Sequence, residues 1–131
     1  MGTEASGARR PEDWPVLFTQ RLKAGDVEGL IALYADEARF LAPTGGTLAG
    51  REQIRAVLAG LVNEKRQWEC QVVQAVVVDD VALLYTNFKD AGGGESGSRP
   101  MSIDQRAIEV LRRQSDGSWK LIVGDPLGRE R

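Results

Sequence analysis

Residues 22–62 read LKAGDVEGLIALYADEARFLAPTGGTLAGREQIRAVLAGLV, and the punctuation of this run decides the architecture. Gly25 suits the close of one helix and Asp26 the cap of the next. Val27, Leu30, Ile31 and Tyr34 recur at helical spacing, so a short second helix is expected, closed by Asp36 and Glu37. A small strand over residues 38–42 follows, then a Pro-Thr-Gly-Gly turn and a third helix whose apolar face carries Ile54, Val57, Leu58 and Leu61.

Upstream, residues 1–10 are small, polar and charged and are expected to form a flexible tail. Pro11, Glu12 and Asp13 suit a first helical turn, and Trp14, Leu17, Phe18 and Leu22 then line one helical face. Downstream, residues 68–78 and 81–89 are rich in Val, Leu and Tyr, and the Asp79-Asp80 step between them reads as a hairpin turn. Residues 91–100, AGGGESGSRP, are expected as a flexible loop before a long strand over 101–113. Ser115-Asp116-Gly117 turns the chain into a last strand over 118–123. Helices first and an antiparallel meander afterwards make the chain α+β, with one domain over residues 11–131.

Composition removes several function classes. The chain of 131 residues has no histidine, which excludes Ser-His-Asp and Cys-His mechanisms and His-based zinc sites. Acid-base chemistry falls to carboxylates, Tyr, Lys or Cys. A net charge of -2 from interspersed signs gives no footprint for nucleic acid and no polybasic stretch for an anionic membrane. Apolar runs fall short of the roughly 18 residues that span a bilayer, and MGTEASGARRPED lacks the apolar core of a signal peptide, so a cytoplasmic location is expected. Cys70 cannot form an internal disulfide and is expected as a buried spectator. There is neither a metal-ligand cluster nor a phosphate-cradling glycine loop in strand-to-helix context, so no metal or cofactor is expected.

Three segments carry a resemblance: AGDVEGLIALYADEARF, the P-T-G-G turn with LAGREQIRAVL behind it, and EVLRRQSDGSWKLI. In this order and spacing the chain resembles the SnoaL-like and ketosteroid-isomerase-like proteins of the nuclear transport factor 2 superfamily. The resemblance implies a cone-like barrel of a curved, mostly antiparallel sheet packed against three N-terminal helices, an apolar cavity between them, and a homodimer. Family isomerases use a Tyr on the first helix, an Asp base after the first strand and a protonated Asp on a later strand, which together move a proton and stabilise a dienolate oxygen. Gap-free matching puts Phe18 at the Tyr position, Ala42 at the base and Glu109 at the protonated acid. The standard steroid-isomerase reaction is therefore not expected. The limonene-epoxide-hydrolase-like branch uses an Arg-x-Asp pair on one strand and an Asp on a neighbour; Asp104 and Arg106 have that spacing in reverse order, and Asp125 stands near the end of the last strand.

Glu109 is the principal catalytic candidate, a cavity carboxyl whose proton affinity rises among apolar neighbours; the competing reading is a cross-strand partner for Arg or Lys on a solvated face. Asp125 is the second candidate, against a plain Asp-Pro turn at a strand end. Alternation places Asp104 and Arg106 on the face opposite Glu109, where an ion pair explains them. Trp14, Phe18, Tyr34, Phe40, Leu58, Leu84, Thr86, Phe88 and Leu111 are the expected substrate-binding residues, and ordinary core packing would use the same set. On the other sheet face Tyr85 and Asn87 suit a dimer interface. The leading expectation is an enzyme using carboxylate acid-base chemistry on a small hydrophobic molecule, of the isomerase, cyclase or epoxide-opening type. The alternative is a non-catalytic ligand-binding or dimerisation domain on the same fold.

Overall fold

Local sequence signals set the helical layer. Gly25 adopts φ 72°, a left-handed conformation that costs glycine little, and ends α1 (Asp13–Ala24). Asp26 caps α2 (Val27–Ile31), its side chain accepting the Gly29 N–H at 2.8 Å. A third helix, α3 (Arg51–Asn63), buries Ile54 and Leu58. Against these lie β1 (Tyr34–Leu41), β2 (Thr47–Ala49), β3 (Trp68–Val78), β4 (Val81–Asp90), β5 (Asp104–Arg113) and β6 (Trp119–Asp125). The computed structural model describes residues 7–42, 45–90 and 104–129. The expected loop over residues 91–100, the first part of the strand expected over 101–113, and Pro43-Thr44 of the turn lie outside them.

The six strands form one curved sheet in the order β2-β1-β6-β5-β4-β3. All neighbours are antiparallel except β1 and β6, which run parallel. The architecture is thus the expected α+β, but the barrel is not closed: β2 and β3 remain as edges. The helices pack on the concave face, burying Trp14, Phe18, Leu22, Leu30, Ile31 and Leu58 in one cluster with Leu84, Leu111 and Leu121 of the sheet. Burial of such apolar surface stabilises by about 25 cal/mol per Å² removed from water.

Two expectations are corrected. Tyr34 does not end the second helix: α2 stops at Ile31, and Tyr34 opens β1, pairing with Leu121. A five-residue helix has little propagation to hold it, whereas the edge of β6 offers Tyr34 a ladder, and the Leu121 N–H donates to Leu33 O at 2.9 Å. Asp36 and Glu37 consequently stand exposed on β1, paired with Arg51 at 2.9 Å and Arg112 at 2.6 Å. Of the tail expected over residues 1–10, residues 1–6 lie outside the described residues, and the remainder packs on the sheet. Within the expected tail, Ala8 is buried and bridges Trp119, its carbonyl accepting the Trp119 N–H at 2.9 Å. The Asp79-Asp80 hairpin turn forms as read, with Val78 opposite Val81 and Asp79 at φ 52°.

Candidate functional site

Between α1, α3 and the concave sheet face lies a cavity of about 250 Å³. Aromatic side chains dominate one wall because α1 sends Trp14 and Phe18 from successive turns onto the strand ends. Their rings stack at 5.5 Å, and Phe18 also stacks on Trp68 and meets Phe88 edge-on, each at 6.0 Å. The Trp14 indole is fixed by donating to Leu33 O at 2.7 Å. Tyr34 crosses Trp14 at 5.6 Å and lines the same space.

Into this apolar wall β5 delivers one carboxyl. Ala107, Glu109 and Leu111 alternate onto the concave face, and Glu109 is 4% exposed. Its Oε1 accepts the Thr86 hydroxyl at 2.9 Å. Burial pushes the Glu109 carboxyl up to about 8, with the Thr86 hydrogen bond and the Arg129 charge pulling the other way. At neutral pH the group is therefore predominantly the neutral acid. Tyr34 is also raised, by burial and then by Glu109, and stays a phenol. Among the described residues no protein group bonds the Tyr34 hydroxyl, which leaves it to a cavity guest.

A β-bulge in β6 shapes the floor. Leu121 pairs with Leu111 and Val123 with Val110, so Ile122 is the extra residue and the alternation switches behind it. Gly124 then falls opposite Glu109, where any larger residue would project into the cavity. Asp125 pairs with Ile108, on the face turned away from Glu109, but borders the cavity at its rim. Its Oδ1 accepts the Leu127 N–H at 3.3 Å, the Asp-Pro turn that was the competing reading. At the mouth after α3, Arg66 pairs with Glu64 at 3.0 Å.

Of the expected binding residues, Trp14, Phe18, Tyr34, Phe40, Leu58 and Phe88 border the cavity. Leu84, Thr86 and Leu111 do not. They share its sheet face but are 0% exposed in the filled part of the core, and Thr86 serves Glu109 from behind. Sequence reasoning missed Ile54, Leu61, Trp68, Gln105, Leu121 and Gly124 as lining residues. Ile54 and Leu61 share the apolar face of Leu58, and Gln105 shares the parity of Glu109, so both signals were present. The bulge that turns Gly124 inward leaves no such signal. Arg106 lies exposed on the face opposite Glu109, as alternation requires. Ala42 is not among the cavity residues; it closes the turn with Gly45 and Gly46. Cys70 is half-buried rather than buried, 4.0 Å from the Thr19 hydroxyl, with its thiol pushed up by burial. No group of three or more metal-ligating side chains occurs among the described residues.

A family model for the SnoaL-like domain matches residues 17–122. The chain belongs to that family. Solved structures agree on the fold. A solved structure from Thiobacillus denitrificans, described as a calcium/calmodulin-dependent protein kinase type II association domain, superposes on this SnoaL-like chain with a TM-score of 0.75 at 17% identity, covering 94% of this chain and 99% of that one. A ketosteroid isomerase-like protein from Erwinia carotovora gives 0.68 at 14% identity over 85% and 87%. A protein of the nuclear transport factor 2-like family from Streptomyces avermitilis gives 0.66 at 21% identity over the same shares. At these identities the likeness is one of fold. No curated protein matches the SnoaL-like chain.

Proposed function

We infer that this SnoaL-like protein binds a small, largely apolar molecule carrying an acceptor oxygen and performs acid-base chemistry on it with Glu109, of the isomerase, cyclase or epoxide-opening type. One observation carries the reading: the one buried carboxyl among the described residues, raised to about 8, stands in the wall of an aromatic cavity. Such an acid donates to a carbonyl or epoxide oxygen and yields its proton as negative charge develops there. Tyr34 supplies a second donor in the same space. The chain has Phe18 where the family resemblance expects a hydroxyl, and β1 brings one from another direction. Asp125 at the rim is the proposed second acid-base group, reached by a guest that extends from Glu109 to the mouth. The cavity, smaller than the usual drug-sized pocket of roughly 300 Å³ or more, selects compact guests.

The non-catalytic ligand-binding reading is favoured by a different observation. Ala42, at the position of the family base, is outside the cavity, and the Asp125 carboxylate is engaged by its own turn. A test on two levels separates them. Binding of an aryl ketone, followed through Trp14 and Trp68 fluorescence, is expected to weaken above about pH 8 in the wild type and to lose that dependence in Glu109→Gln. Deuterium incorporation beside the ketone carbonyl, or opening of an epoxide analogue, must then depend on Glu109. Binding without either reaction selects the non-catalytic reading, and absence of binding sinks both.

We further infer a homodimer through the outer sheet face. Val76, Val78 and Val81 are 46%, 64% and 43% exposed there, and Val76, Leu83 and Val110 are cross-strand neighbours. A second copy would cover this patch near the hairpin. Tyr85 and Asn87, expected to suit a dimer interface on this face, are partly occupied by Arg129, which lies 5.2 Å over the Tyr85 ring and donates to Asn87 Oδ1 at 2.7 Å.

A further inference from the structure

Thr86 uses its two polar ends in two directions. Its hydroxyl donates to Glu109 Oε1 at 2.9 Å on the cavity side, and its carbonyl accepts from Arg129 Nη2 at 3.1 Å. Arg129 belongs to an arm that leaves β6 at Asp125 and folds back over the outer face of the sheet. The arm is docked by its backbone, with the Arg129 N–H donating to Arg106 O at 3.1 Å and the Gly128 N–H to Asp125 O at 3.1 Å. Gly128 is required for this approach: a Cβ there would stand 2.8 Å from Ile108 Cδ1. The guanidinium is then held over Tyr85 and against Asn87, with its Nε buried and without a hydrogen-bond partner. This half-buried cation is screened less than one in open water, and its charge acts on Glu109.

We propose that Arg129 is a positioning residue for Glu109, acting through Thr86 from the opposite face of the sheet, so that docking of the C-terminal arm is coupled to the acid in the cavity. The proposal rests on the reading of Glu109 as the working acid of the site. The groups that face Glu109 are Thr86 from β4, Tyr34 from β1, Cys70 from β3, Arg129 from the arm, and Glu64, Arg66 and Asp125 at the mouth. From α1 come only Trp14 and Phe18, which carry no charge. Arg129 is thus the cation that the carboxyl senses from behind the sheet, and both its charge and the Thr86 hydrogen bond favour the carboxylate form. Removing Arg129 raises the proton affinity of Glu109 still further.

The test is carboxyl carbon NMR titration of glutamate-labelled full-length protein as wild type, Arg129→Met and Arg129→Lys. Met keeps an apolar stem on Tyr85 and loses the charge; Lys keeps the charge. Glu109 is expected to titrate higher in Arg129→Met, by on the order of half a pH unit or more, and to return toward the wild-type value in Arg129→Lys. In a Thr86→Val background the Arg129→Met displacement should shrink, since the relay is already broken. Coincident titrations of wild type and Arg129→Met, or an undiminished displacement without the Thr86 hydroxyl, would overturn the proposal while leaving Glu109 as the cavity acid. A wild-type Glu109 that titrates in the ordinary carboxylate range overturns both.

Discussion

Glu109 stands directly across from Gly124 in the β5–β6 ladder, and the open face of the carboxyl depends on the side chain that Gly124 lacks. A Cβ at position 124 would lie 3.2 Å from Leu121 Cδ1 and 3.3 Å from Phe40 Cδ1. Gly124→Ala therefore has to push both side chains by a few tenths of an ångström, at a cost of about 1 kcal/mol. Ligand affinity is expected to fall more than stability does, and Gly124→Val should abolish binding while the chain still folds. Parallel calorimetric titration and denaturant unfolding of the two variants check this; a Gly124→Val protein that binds like wild type would place the guest elsewhere.

Glu109 also makes stability depend on pH in a direction opposite to that of a salt-bridged carboxylate. Its folded-state value, about 8, lies above the ordinary 4.5. The native protein thus holds the proton more tightly than the unfolded chain does. The stabilisation is complete below about pH 4.5 and is lost as pH rises through about 8, on the order of a few kcal/mol in all. Glu109→Gln keeps an acceptor for Thr86 and cannot ionise, so its urea midpoint should stay level between pH 5 and pH 9 where that of the wild type declines. Equal slopes in the two proteins would refute the buried-acid account.

The Tyr34 hydroxyl has no protein partner among the described residues, so Tyr34→Phe should leave folding stability within about 1 kcal/mol of wild type. Binding of an aryl ketone should weaken by roughly five- to tenfold, the worth of one hydrogen bond, whereas binding of the matching hydrocarbon should not change. Equal effects on both guests would show that the ring, and not its hydroxyl, is what matters.

For the outer face, Val76→Lys places a charge on a position that is 46% exposed, next to Leu83. Sedimentation velocity is expected to show a dimer in the wild type and a monomer of 14.3 kDa in the variant, with ligand binding kept. A wild-type monomer at all accessible concentrations contradicts the inferred dimer.

The helices and turns were legible because their causes are local. Gly25, Asp26, the Asp79-Asp80 pair and Gly117 each meet a backbone need that a few neighbouring residues define. The parity of β5 was legible for the same reason: once the strand is recognised, alternation puts Ala107, Glu109 and Leu111 together and Arg106 opposite. Tyr34 shows the limit of such reasoning. Its spacing from Leu30 and Ile31 fits a helix as well as a strand, and only the presence of β6 alongside decides for the strand.

What the amino-acid sequence determined by itself was the α+β order, the SnoaL-like scaffold and a glutamate on one definable face of a strand. The tertiary structure decided everything that depends on partners distant along the chain. It turned Gly124 inward by a bulge in β6, set Thr86 behind Glu109 rather than in the cavity wall, and folded Arg129 against the far side of the sheet. Proton affinity is such a property: Glu109 is an ordinary carboxyl in the unfolded chain, and it becomes a neutral acid only where packing removes water from around it.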